Sequence, residues 1–242
     1  MKSLNRIIAV FGILFLAVVS TAQTIIPRIV FNENPLTHNM HITSDGQFLY
    51  TCNGGKSEFG QISKFTMDGN KTDSYKLELD MRSIMFNASD KKLYVHTYEQ
   101  KLYKIDDLEK GIYSEVFDFS ERSEQSVPAF SDNGKLIYFM EYGQVFIYSL
   151  KNKKLKDTLS GLNSTDNAAD GGTAIAVDKK NIYCWDAGQQ TVYIYDLKGK
   201  FRKSLVLKHG NYGFSLSFAN GLLWVSDDGN YEEGTWYGYV VE

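Results

Sequence analysis

One pattern of hydrophobic and polar positions repeats five times along the chain. In each copy an apolar segment ends in a turn rich in Asp, Asn, Gly and Lys, and a hydrophobic–aromatic pair then opens a second apolar segment. The spacings between successive aromatic anchors are 44, 44, 45 and 41 residues, and the anchors are Tyr50, Tyr94, Tyr138, Tyr183 and Trp224. A period of this length predicts one supersecondary unit that is used repeatedly.

A third segment, alternating or wholly apolar, follows each anchor after a polar turn. Alternation with a period of two is typical of a half-buried strand. The third strands predicted in this way are 61–65, 101–105, 144–148, 191–195 and 235–239. A more polar fourth strand follows in four of the five copies, for example at 71–79 and 201–207. Four strands in about 40–45 residues predict an all-β fold, a β-propeller of four-stranded blades. Five blades are expected, and a ring of six with one unrecognised blade is the alternative.

The two ends of the chain predict how the ring closes. The fifth copy stops after its third strand, while the segment 24–31 reads as a strand with no repeat before it. We therefore expect residues 25–31 to pair with 235–241 and to complete the last blade, which covers an otherwise exposed sheet edge. Pro27 is compatible with such an outermost strand.

The first 22 residues differ from the rest. Lys2 and Arg6 precede an almost wholly apolar run at 7–19, and small residues follow at 20–22. This order is typical of a cleavable signal peptide, and the run is shorter than the roughly 20 residues of a membrane span. We expect residues 1–22 to be removed and 23–242 to form a single propeller domain without a membrane span. The protein is then secreted, periplasmic or on the cell surface.

The charge and composition of the chain limit the classes of partner that are expected. The net charge is −3 and no basic cluster is expected, so the sequence argues against a nucleic-acid partner. Cys52 and Cys184 fall in strands of separate repeats and are expected to be free, buried thiols. His41 and His96 lie on strands beside apolar neighbours and are expected to be satisfied packing residues. A monomer is expected.

The later repeats resemble known propeller families. The segments 174–178, 181–188 and 192–200 resemble an NHL-type or YVTN-type repeat, and 130–138 resembles the WD40-like repeat of TolB-type propellers. This resemblance implies a propeller fold but no particular activity, because such repeats serve many functions. Those families usually have six or seven blades, which differs from the five copies counted here.

In propellers, ligand sites generally lie near the axis, on the face shared by the loops that enter the first strands and those that join second to third strands. His38 and Arg82 fall where first strands begin and are candidates for binding an anion or a carboxylate. Loop aromatics are further candidates, because an aromatic face can stack on a ligand. The candidate ligand-binding residues are His38, Arg82, Tyr98, Tyr142, Trp185 and Tyr212.

Four oxygen-bearing side chains end the second strands on the same face: Asn53, Glu141, Asp186 and Asp227. Together they form a candidate metal site for a divalent cation such as Ca²⁺. The alternative is that each caps its own turn, in which case no cofactor is expected.

The sequence contains no G-x-S-x-G elbow, H-E-x-x-H motif or phosphate loop. A non-catalytic binding or scaffold propeller, which recognises a protein or small ligand on its loop face, is therefore the first hypothesis. A metal-dependent lactonase or hydrolase and a sugar-binding, lectin-like propeller are the alternatives.

Overall fold

A computed structural model describes residues 23–163 and 171–241 of the chain. The expected signal peptide, 1–22, lies outside the described residues, as does most of the long loop that enters the fourth repeat. Within the described part there are 22 strands and one short 3₁₀ helix. No helix in that part is long and apolar enough to cross a membrane.

The strands form five sheets, here called blades 1 to 5 in chain order. Blade 1 contains β3 (His38–Ser44), β4 (Leu49–Gly54), β5 (Gln61–Phe65) and β6 (Lys71–Lys76), with the 3₁₀ helix Ser57–Phe59 before β5. Blade 2 contains β7 (Met81–Asn87), β8 (Lys92–Thr97), β9 (Lys101–Asp107) and β10 (Ile112–Asp118). Blade 3 contains β11 (Ala129–Phe130), β12 (Leu136–Glu141), β13 (Gln144–Ser149) and β14 (Lys154–Ser160), and β15 (Gly172–Thr173) pairs with β12. Blade 4 contains β16 (Ile175–Val177), β17 (Asn181–Asp186), β18 (Thr191–Asp196) and β19 (Phe201–Leu207), and β1 (Gln23–Ile25) joins it. Blade 5 contains β20 (Ser217–Ala219), β21 (Leu222–Asp227), β22 (Gly234–Tyr239) and β2 (Ile29–Glu33).

The blades form a closed ring. The first strand of each blade packs against the first strand of the next, from β3 with β7 round to β20 with β3. This confirms the five-bladed propeller and excludes the alternative of six blades. The predicted third strands are all present, and the polar fourth strands β6 and β14 lie on the exposed rim.

The N-terminal segment closes the ring, as predicted, but with one correction. Strand β2 pairs antiparallel with β22, from Ile29 opposite Gly238 to Glu33 opposite Gly234. Residue Ile25, however, lies in blade 4, where β1 runs parallel to β19 and Ile25 pairs with Leu207. The predicted strand 25–31 is therefore two short strands on neighbouring blades. Pro27 lies between them, where its missing N–H costs no ladder hydrogen bond.

A buried carboxylate joins the closing blade to blade 1. The Glu33 side chain accepts a hydrogen bond from Trp236 Nε1 at 2.8 Å and another from the Thr51 hydroxyl at 2.8 Å. Burial raises the pKa of Glu33, and these donors oppose that rise. Because Trp236 belongs to blade 5 and Thr51 to blade 1, Glu33 links the last blade to the first.

The repeated turn–aromatic pattern has a structural cause. In blades 1, 2 and 4 the anchor tyrosine hydroxyl donates to an aspartate of its own first hairpin, at 2.9, 2.6 and 2.7 Å. The anchor rings are buried in the strands behind these turns. Sequence and structure also agree on the cysteines: Cys52 and Cys184 are both free and buried, as predicted.

Candidate functional site

Residues from several blades converge where the chain enters the first strands. His38 opens β3, and Arg82 follows the first residue of β7. Tyr98 follows β8, and Tyr212 lies in the loop between β19 and β20. Their contacts, described below, define the entry mouth: His38, Asp80, Arg82, Tyr98, Tyr212 and Asp228.

Arg82 is the buried cation of the entry mouth, with its side chain 8% exposed. Its Nη2 lies 3.7 Å from Asp80 Oδ2, and its guanidinium carbon lies 4.8 Å from the centre of the Tyr98 ring. The Tyr98 hydroxyl donates to Glu124, in the segment that enters blade 3. Among the residues the structure describes, Arg82 Nε has no hydrogen-bond partner. A buried guanidinium with an unused N–H has capacity to bind an acceptor.

His38 forms the second polar contact of the mouth. Its Nδ1 lies 2.7 Å from Asp228 Oδ2, and both side chains are partly exposed, at 26% and 18%. The backbone beside them needs glycine: Gly55 has φ +113°, and a Cβ there would lie 2.8 Å from His38 Cδ2. The Gly55 N–H also donates to Asp80 Oδ1 at 2.7 Å. Gly55 thus lets the His38–Asp228 pair and the Arg82–Asp80 pair approach each other.

Tyr212 lies between these pairs. Its ring stacks on His38 with centroids 5.9 Å apart, and its hydroxyl is 3.5 Å from Met40 Sδ. Burial raises the pKa of Tyr212, and the carboxylate of Asp228 adds to the rise. The hydroxyl therefore remains a proton donor at neutral pH.

The other two predicted ligand-binding residues have different surroundings. Trp185 is fully buried, and its Nε1 donates to the Tyr212 carbonyl at 3.1 Å, so it supports the mouth from beneath. Tyr142 is 58% exposed in the hairpin between β12 and β13, with its ring against Gly171. Four of the six predicted residues thus meet at the mouth.

Each of the four predicted metal ligands forms hydrogen bonds with other groups of the protein. The Asn53 amide group donates to the carbonyls of Pro35 and Phe59, and its oxygen accepts from the Gln61 N–H. Glu141 accepts from the Ser123 N–H at 2.8 Å and lies 3.2 Å from Arg122 Nη1.

Of the two aspartates in that set, Asp186 caps its own turn, whereas Asp227 bonds a side chain of the neighbouring strand. Asp186 accepts from the Gln189 N–H, and Asp227 accepts from the Tyr237 hydroxyl. Over the described ranges no three His, Cys, Asp or Glu side chains are grouped to hold a metal ion. The calcium site stays a prediction.

Two residues of the mouth, Asp80 and Asp228, were not predicted from the sequence, and neither was the role of Gly55 beside them. The pair Asp227–Asp228 before Gly229 was the available signal, because two successive side chains at a strand end point to different sides.

The expectation that basic residues do not cluster is wrong at one place. A groove of about 980 Å³ between blades 2 and 3 is lined by Lys135, Lys151, Lys154 and Lys156. These lysines come from the hairpins of blade 3, which bring 135 and 151–156 together. The absence of a nucleic-acid partner remains a prediction.

Comparison with known proteins bears on the fold. No family model and no curated protein matches the chain. Among solved structures, glutaminyl cyclase from Myxococcus xanthus is 8% identical and has a TM-score of 0.63, over 92% of this chain and 100% of that chain. A structural genomics protein of unknown function from Bacteroides thetaiotaomicron is 8% identical, with a TM-score of 0.52 over 84% of this chain and 70% of that one. A streptogramin B lyase structure is 14% identical, with a TM-score of 0.44 over 83% and 65%. At these identities the similarity shows the fold alone, and the chain is a five-bladed β-propeller.

Proposed function

We propose that this propeller is a non-catalytic binding protein that recognises a small carboxylate-bearing ligand, or the carboxylate end of a peptide, at the entry mouth. The observation that carries the proposal is Arg82. Its guanidinium is buried, its contact with Asp80 is long at 3.7 Å, and its Nε is without a partner among the described residues. Buried charged groups are normally fully hydrogen-bonded, so an acceptor is needed here.

The rest of the mouth suits the same ligand. The Tyr98 and Tyr212 rings offer flat apolar faces, and the Tyr212 hydroxyl is a donor. The His38–Asp228 pair supplies a partly exposed polar edge. A ligand with a planar apolar body and one carboxylate would satisfy Arg82 and cover these rings.

The test uses two ligands of equal shape and different charge, benzoate and benzamide, in isothermal titration with the full chain. Benzoate is expected to bind more tightly than benzamide. Arg82→Gln is expected to lower benzoate affinity at least 30-fold, or about 2 kcal/mol, because truncating a buried charge contact costs about that or more. Arg202→Gln is the matched control, since Arg202 is exposed on β19.

Equal binding of both compounds, or unchanged benzoate affinity in Arg82→Gln, would contradict the proposal. Tight binding of neutral glycans in the same assay, weakened by Tyr98→Ala, would instead favour the lectin-like alternative.

A second candidate function rests on the His38–Asp228 contact at 2.7 Å, because a histidine oriented by a carboxylate is a common general acid–base arrangement. In that case the mouth belongs to a hydrolase of the lactonase kind. Lactone hydrolysis that is lost in His38→Gln would support it, and added Ca²⁺ would show whether a metal takes part. Equal rates with and without the protein would exclude it.

We further propose that the chain acts as an exported monomer with an NHL-type or YVTN-type repeat. The apolar run at 7–19 and the small residues at 20–22 support export. Mass spectrometry of the chain expressed with its leader is expected to give a mature N-terminus at Gln23, and a retained Met1 would contradict the proposal.

A further inference from the structure

A cavity of about 260 Å³ lies at the opposite end of the axis from the entry mouth. All five blades contribute to it, through the ends of their first strands and the hairpins that follow. Three phenylalanines, Phe86, Phe130 and Phe218, belong to its lining. It is slightly smaller than most ligand pockets, which suits a compact ligand.

His41 is one of the buried polar residues in the lining of this cavity. It is only 4% exposed, and its Nδ1 lies 2.7 Å from the Ile84 carbonyl oxygen. Since a carbonyl only accepts hydrogen bonds, Nδ1 carries the proton and Nε2 is left as an acceptor. Within the described part of the chain, His41 Nε2 has no hydrogen-bond partner. The prediction that His41 is a satisfied packing residue is therefore wrong for this atom.

The histidine is electrically neutral. Burial lowers the pKa of His41 to about 4, and the hydrogen bond to Ile84 only partly opposes this. A ligand of His41 must therefore donate a hydrogen bond, and an anionic acceptor finds no cation there.

Among the residues that the structure describes, the charged side chains that line the cavity are carboxylates. Its lining includes the carboxylates of Asp132 and Asp178 and contains no lysine or arginine. Asp178 is engaged with its own hairpin through the Tyr183 hydroxyl, whereas Asp132 is exposed at the rim. Two negative charges and aromatic rings favour a cation, which is also attracted to the face of an aromatic ring.

We propose that the axial cavity binds a small protonated amine. Its ammonium N–H donates to His41 Nε2, its apolar part packs against the phenylalanines, and the carboxylates of Asp132 and Asp178 attract the same positive charge through space. This site is separate from the entry mouth and does not depend on the carboxylate ligand proposed there.

The test compares four probes that share a benzyl or phenyl group in isothermal titration with the full chain. Benzylammonium is expected to bind. Benzyltrimethylammonium, a cation without an N–H, is expected to bind at least 10-fold more weakly, and benzyl alcohol and benzoate more weakly still at this site. Equal affinity for the two cations, or no binding of benzylammonium, would overturn the proposal.

Two variants locate the site. His41→Leu removes the acceptor and is expected to abolish the difference between the two cations. Asp132→Asn, an exposed change that leaves the fold intact, is expected to weaken benzylammonium about 3-fold to 10-fold. Asp73→Asn, the same change on the exposed strand β6, is the matched control and is expected to have no effect.

The entry mouth is tested in the same series. Arg82→Gln is expected to leave benzylammonium binding unchanged. If benzylammonium affinity falls in Arg82→Gln, or falls equally in Asp132→Asn and Asp73→Asn, the amine does not bind in the axial cavity.

Discussion

The two ends of the propeller axis are built from the same five first strands and yet differ in their chemistry. At the entry mouth, the Arg82 guanidinium lies near the Asp80 carboxylate, and the His38 ring lies beside the Asp228 carboxylate. At the axial cavity, the buried polar group is a neutral histidine, surrounded by phenylalanines and by carboxylates at the rim. Within the described residues, the buried polar atoms without a hydrogen-bond partner include Arg82 Nε at the entry mouth and His41 Nε2 at the axial cavity.

The difference between the two unpartnered atoms indicates which kind of ligand each proposed site would bind. An unused N–H on a guanidinium needs an acceptor, whereas an unused lone pair on a neutral imidazole needs a donor. Both atoms are buried, and leaving such a group unsatisfied costs about 1–3 kcal/mol. The two sites proposed along this axis therefore have opposite hydrogen-bonding character.

The largest effect is expected from opening the ring, on which both ends depend. Glu33→Ala removes the acceptor of Trp236 Nε1 and of the Thr51 hydroxyl. Two buried donors then lose their partner, which lowers the free energy of unfolding by about 3 kcal/mol. Urea unfolding measures this, with the exposed Glu232→Ala as control. A loss no greater than that of the control would show that Glu33 does not hold the closing blade.

A smaller loss in the free energy of unfolding, about 2 kcal/mol for each of two buried histidines, is expected when the pH is lowered to 5. Burial lowers the pKa of His41 to about 4 and that of His96 to about 3, from an ordinary value of 6.5. The unfolded chain therefore binds protons first as the pH falls below 6.5. Stability from each histidine is complete above pH 6.5 and is lost as the pH falls towards these folded-state values, by about 2 kcal/mol each down to pH 5.

Urea unfolding at pH 7 and pH 5 separates the two histidines. His41→Leu and His96→Leu are each expected to remove about half of the pH dependence, while His209→Gln at an exposed position retains it. A pH dependence that neither leucine variant changes would contradict the assignment.

The smallest change in stability is expected from a substitution at the entry mouth. Tyr98→Phe removes the hydroxyl that donates to Glu124 and keeps the ring beside Arg82. We expect a small loss of stability and little change in benzoate affinity, because in the proposed site the ring supplies the ligand contact. A large loss of benzoate affinity would mean that the hydroxyl, and not the ring, contacts the ligand.

Much of the fold could be predicted because the same residue types recur at the same structural positions in successive blades. The anchor tyrosines Tyr50, Tyr94 and Tyr183 recur since each bonds an aspartate of its own hairpin. The closing strand was found from the missing fourth strand of blade 5. Its division at Pro27 was not, because the parallel pairing of β1 with β19 leaves no alternation in three residues.

The sites could be predicted only in part. His38 and Arg82 stand at equivalent positions of the repeat, so their convergence followed from the fold. Asp228 lies one residue beyond the repeated position, and its contact with His38 spans 190 residues of chain. His41 looked like a packing residue, because the sequence does not show which polar atoms of a buried side chain find partners.

The most direct test of two sites with opposite character is one crystal structure of the chain grown with benzoate and benzylammonium together. We expect benzoate at the entry mouth, within hydrogen-bonding distance of Arg82. We expect benzylammonium in the axial cavity, with its nitrogen within hydrogen-bonding distance of His41 Nε2. Both compounds at the same end, or the two in exchanged positions, would contradict the two proposals.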